Sequence, residues 1–161
     1  MARDSHLIKM TLSQFNVLFY AMLIGLTVMV SVFYYLQHNE FMSTDESLSQ
    51  TLEIPLFVIV AIGVLGARWI FPWMTRQIDE DLKMPEKLAK LRTAYILRLA
   101  LLELPVIFAG IAFLLTGREQ YFMLSIILIG YFFLFRPRAD RLRDALSLTE
   151  SEDLAWEEAA R

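Results

Sequence analysis

The chain has 161 residues, no cysteine, two histidines, a formal net charge of −3 and a hydrophobic share of 57%. A soluble domain of this length has too little interior to bury that share, so lipid is the expected place for it. The missing cysteines exclude disulfides, thiolate metal sites, cysteine nucleophiles and iron–sulfur ligation, and the near-balanced charge offers no field for nucleic acid.

Residues 1–11 are polar, with Arg3, Lys9 and the first histidine, His6. A charged start suits a signal peptide. The apolar run behind it is too long for the core of one, and no small-residue cleavage site follows. A retained first span is therefore predicted over Phe15–Leu36, which has no charge and ends on the interfacial pair Tyr34 and Tyr35. The stretch Gln37–Glu53 is acidic and polar, with no basic residue, and reads as a loop. His38 lies in it, far from His6 in sequence, so no histidine-based metal or acid–base centre, and no cofactor, is expected.

The second span is predicted over 54–74, with Pro55 suited to a first helical turn. Gly63 and Ala67 are four residues apart, with Gly66 beside them, a spacing that lets helices approach closely, within the bundle or at a dimer seam. Arg68 lies one turn before Pro72, where its long stem can reach the headgroups, and Trp69 and Trp73 mark the same interface. Residues 75–93 are densely charged and read as a solvated hairpin. Within them Met84-Pro85-Glu86 signals a helix start, and Leu88, Leu91 and Tyr95 continue it toward the membrane.

The third span is Tyr95–Leu115, closed by Thr116-Gly117. The fourth, Tyr121–Phe135, has 15 residues and covers only about 22 Å, so it must extend, thin the bilayer or be shielded by other helices. Arg136-Pro137-Arg138 ends it. The tail, 136–161, is first basic and then acidic, and Thr149 with Glu152 fits a capping box for a last short helix through Trp156.

Of the fifteen Lys and Arg, all but Arg118 fall on one side of these four spans. By the positive-inside rule, both termini and the charged hairpin are cytoplasmic. The expected fold is all-α: one domain over 1–161, an integral four-helix bundle spanning a bacterial inner membrane several times.

Within the third span, Glu103 lies eight residues beyond Tyr95, at a depth of about 12 Å. A carboxylate in hydrocarbon costs roughly 2.5 kcal/mol or more. Pro105 cannot donate to the carbonyl of Leu101, which leaves that oxygen free near the acid. Arg98 is five residues away and about 140° around the helix, poor geometry for a pair within one helix, and is expected to reach the cytoplasmic interface. Partners for Glu103 are expected from other helices: Tyr20, Thr27 or Ser31 on the first, Ser125 or Tyr131 on the fourth. Without a charged partner the acid is expected to be neutral. It then either fixes helix packing or binds a proton or ion.

The residues Lys90–Leu115, KLRTAYILRLALLELPVIFAGIAFLL, resemble the second helix of the proteolipid (c) subunit of rotary ATP synthases. In that family a basic or polar loop leads into a helix of the type RTA, apolar run, ALLE, apolar run. Thr75-Arg76-Gln77 is similar to the family's loop. The resemblance implies that Glu103 is the proton- or sodium-binding acid. It covers about a sixth of the chain. Ile78 stands where the loop proline would be, Pro105 replaces a small residue, the preceding span holds only Gly63 and Gly66, and no internal repeat is present. The chain as a whole resembles small four-helix inner-membrane proteins of bacteria.

No nucleophile elbow, phosphate-binding glycine loop or acid–base cluster points to an enzyme. The expected function is that of a structural or interaction subunit, as a homo-oligomer or within a larger membrane complex, with the lipid bilayer as its other partner. The alternative is proton or ion translocation through Glu103.

Overall fold

A computed structural model describes residues 2–39, 45, 47–79, 81–146 and 148–160. The glutamates of the first loop, Glu40 and Glu46, lie outside them. The described residues form six helices and no strand: α1 (Ala2–His38), α2 (Leu48–Thr75), α3 (Met84–Thr116), α4 (Glu119–Phe133), α5 (Ala139–Arg143) and α6 (Glu150–Ala160). Three of them, α1 to α3, are long and apolar enough to cross a membrane, and α4 is a shorter apolar helix.

Each long helix overruns its predicted span. In α1 the buried residues Ile8, Phe15, Phe19, Leu26 and Val30 repeat at seven and four, one stripe of a helix. That stripe starts in the segment read as polar, so the helix begins more than three turns before Phe15. In α2 the helix starts at Leu48, and Pro55 lies inside it rather than in its first turn. The earlier start is held by buried Ser49, whose hydroxyl and carbonyl bond the hydroxyl of Tyr121 at 2.9 and 3.1 Å. The start and stop of α3 follow their local signals. Pro85 sits in its first turn, and Gly117 (φ 68°) takes the left-handed cap, donating its N–H to the carbonyl of Phe113 at 2.8 Å.

Inter-helix contacts fix the directions. Phe15 meets Tyr95, and Gly110 lies against Phe33 and Met29, so α1 and α3 run parallel. Gly63 meets Leu101 and Pro105 while Phe71 meets Arg98, so α2 runs against α3. Tyr34 meets Phe122 and Phe19 meets Phe132, so α4 runs against α1. The result is an up-down-up-down bundle. Its hub is α3, whose apolar stretch is 50% buried against 17% in α1 and in α2. The outer faces of α1 and α2, with Val17, Ile24, Val28, Phe57, Ile62 and Leu65, are exposed.

At one end the chain builds a cap. Helix α6 packs on the early turns of α1, burying Ala155, Trp156 and Ala159 in a core that includes Ile8. Residues 75–93 are not a wholly solvated hairpin, because Ile78, Met84, Lys87, Leu88 and Leu91 are buried. The ammonium of Lys87, fully buried, donates to the Glu152 carboxylate at 2.8 Å. Glu152 also accepts the N–H of Thr149 at 2.9 Å and its hydroxyl at 3.0 Å. The predicted capping box thus forms only its glutamate half, and the hydroxyl that would cap the helix points at the acid instead. Burial alone pushes the Glu152 carboxyl up, but the bonds from Lys87 and Thr149 outweigh it and hold it below its ordinary value. Arg143 grips Asp153 at 2.6 and 2.5 Å and reaches Glu157 at 3.1 Å. The Asp153 carboxyl is lowered by that bond and the Arg143 guanidinium is raised by it.

Candidate functional site

Glu103 sits on the edge of α3, partly buried, between a face that is packed and a face, carrying Ala100 and Leu104, that is open. It forms no hydrogen bond or ion pair with any described residue. The partners expected of it are engaged in their own helices or turned elsewhere. The hydroxyl of Thr27 donates to the carbonyl of Leu23, that of Ser31 to Thr27, and that of Ser125 to Tyr121. Tyr20 is exposed and lies under Arg136, and the ring of Tyr131 meets Phe135. These hydroxyls satisfy themselves locally because a serine or threonine in an apolar helix has the carbonyl four residues back always within reach.

The carbonyl freed by Pro105 is not shared with the acid. It lies on the α2 side of α3, where a Cβ on Gly63 would stand 2.6 Å from it. Residues two apart on a helix point about 200° apart, so Leu101 and Glu103 occupy nearly opposite faces. Pro105 itself is buried against Gly63, with ring carbons 2.7 and 2.9 Å from the same constructed Cβ. Gly66 faces Leu101 at 3.4 Å and Ala67 is fully buried. The small residues Gly63, Gly66 and Ala67 are therefore spent on the contact between α2 and α3 inside this chain.

Arg98 is separated from Glu103, as helix geometry requires. Its guanidinium is held between two rings, 4.8 Å from the centroid of Phe71 and 4.3 Å from that of Phe135. Its Nε is buried and has no hydrogen-bond partner among the described residues. Beside it opens a cavity of about 690 Å³. Arg68 of α2, Arg98 of α3, and Arg136, Arg138 and Arg141 after α4 all line it, with Tyr131 and the apolar turn Phe133–Phe135. No acidic side chain lines it, and none of the five guanidiniums forms an ion pair with a described residue. Arg141 is near enough to Arg98 for the two like charges to repel. The hydroxyl of Tyr95 donates to the carbonyl of Phe135 at 3.2 Å, which pins the start of the turn that carries Arg136 and Arg138.

The chain matches no protein-family model, no curated protein and no solved structure. Functional readings therefore rest on the geometry.

Two candidate features emerge, the unpartnered acid and the arginine-lined cavity. The first was legible as a lone acid in an apolar run. The second was not, because its members are spread over residues 68 to 141 and each by itself fits an interfacial or topology-setting charge. The signal available in the sequence was the triplet Arg136, Arg138 and Arg141, crowded behind a helix end with no acid before Asp140.

Proposed function

We propose that this is a non-enzymatic, multi-pass protein of a bacterial inner membrane, with both termini in the cytoplasm. We propose further that it works as an interaction subunit, as a homo-oligomer or within a larger membrane complex. The observation that carries the reading is Glu103, a partly buried carboxyl near the middle of an apolar helix, at the edge of its packed face and with no partner among the described residues. Such a group is costly toward lipid and is offset by a donor from another helix. The small residues of α2 are already used within the chain, so the edge of α3 beside Glu103 is the docking face. The orientation rests on the basic residues, all but Arg118 of which fall, along the sequence, on one side of the four spans.

Native mass spectrometry of the protein ejected from membranes tests this. The expected result is an assembly that dissociates when Glu103→Leu replaces the acid and persists with Glu103→Gln, which still hydrogen-bonds. A monomer from gently disrupted membranes overturns the reading. The alternative, a proton- or ion-binding carboxylate, draws on the same exposure. It requires selective labelling of Glu103 by a carbodiimide and loss of ion flux in reconstituted Glu103→Gln protein.

A further inference from the structure

Five guanidiniums converge on the cavity at the capped end of the bundle, and among the described residues no carboxylate lines it or pairs with them. Like charges gathered in a half-apolar site repel, and an anion relieves that repulsion. The cavity of about 690 Å³ has the size of a small-molecule site. Its walls are of two kinds. Arg68, Arg98, Arg136, Arg138 and Arg141 supply planar donor forks, the groups that suit phosphate oxygens, and Tyr131 adds a hydroxyl. The remainder is the apolar end of α4, with Leu134 65% exposed. Arg98 cannot turn away, because its guanidinium is clamped between Phe71 and Phe135, and its Nε is buried with no partner among the described residues. A buried donor left unmade is costly, so an acceptor at this place completes the site.

The level of the site selects the kind of anion. Trp69 and Trp73 follow Arg68 on α2 and are 76% and 60% exposed, as aromatics at the headgroup level are. A ligand here has its charge among the arginines and apolar chains running along α2 and α4. We propose that this cavity binds the phosphodiester headgroup of an anionic phospholipid. Basic pockets between membrane helices are suited to such headgroups. The proposal does not depend on Glu103 or on the oligomeric state.

The test uses the full chain in nonionic detergent, titrated with phosphatidylglycerol, with phosphatidylcholine or with inorganic phosphate, bound lipid being counted by native mass spectrometry. Phosphatidylglycerol is expected to bind roughly tenfold more tightly than phosphatidylcholine, and added salt to weaken it. Arg138→Gln with Arg141→Gln is expected to remove most of that preference. Both side chains are exposed and bond no described residue, so the fold should survive, and helicity checks this. Arg92→Gln, exposed on α3 away from the cavity, should change nothing. Equal binding of both lipids, or equal loss with Arg92→Gln, overturns the proposal. Displacement of phosphatidylglycerol by millimolar inorganic phosphate at constant ionic strength overturns the lipid as the source of the anion.

Discussion

Replacing Gly63 with alanine puts a methyl carbon 2.6 Å from the carbonyl oxygen of Leu101 and 2.7 and 2.9 Å from Cγ and Cδ of Pro105. The oxygen is backbone and the proline ring is closed, so neither can swing aside. Alanine gains about 0.8–1.0 kcal/mol over glycine inside a helix. Overpacking a well-filled contact costs about 1–3 kcal/mol, and three contacts this short belong in the upper half of that range. The net expectation is a loss of about 1–2 kcal/mol. Three other glycines serve as internal controls. At Gly66 the new methyl would lie 3.4 Å from a flexible leucine methyl, an ordinary contact, so stability should hold or rise slightly. At Gly25 and Gly130 it would meet nothing within 4 Å, and a gain of up to about 1 kcal/mol is expected. Unfolding in mixed micelles of rising denaturing-detergent fraction, followed by helicity, ranks the four variants. A Gly63→Ala protein as stable as the parent would refute the close approach of α2 to the proline-broken turn of α3.

Three more expectations concern the two ends of the bundle. Glu152→Ala removes the partner that docks α6 on buried Lys87 and should weaken that docking by about 1–3 kcal/mol, read as faster proteolytic release of the tail. Glu152 and Asp153 are both held below their ordinary values, so the folded cap binds protons more weakly than the unfolded one. Their contribution is fully present above the ordinary carboxylate pKa of about 4 and is lost as pH falls through the lower folded values. Quenching of Trp156 by acrylamide, with Trp69 and Trp73 replaced by phenylalanine, should therefore stay low at neutral pH and rise only below about pH 4; a rise already complete at pH 6 contradicts the assignment. At the opposite end, Tyr121→Phe leaves the buried hydroxyl of Ser49 without its partner across the helices, removes a second bond to the Ser49 carbonyl, and should cost about 1–2 kcal/mol in the same detergent titration. An unchanged midpoint would mean that this pair does not hold the early start of α2.

The sequence by itself determined α1 to α4 and α6, though not α5, and several of their ends. An uninterrupted apolar run, a proline in a first turn and a glycine at a left-handed cap are local statements, and the backbone obeys them locally. Pro85 and Gly117 bound α3 for that reason. The stripe Ile8, Phe15, Phe19 was also present in the sequence, but its first members lie among charges. Only the docking of α6 shows what covers them. Tertiary structure decided the rest. That Gly63 faces a proline-freed carbonyl, that Glu103 lies at the edge of the packed face of α3 while the Thr27, Ser31 and Ser125 hydroxyls bond their own helices, and that Arg68, Arg98 and Arg141 share one cavity all depend on register and rotation between helices. Those are set by side chains meeting across a bundle, between residues tens of positions apart, and one-dimensional spacing carries almost no record of them.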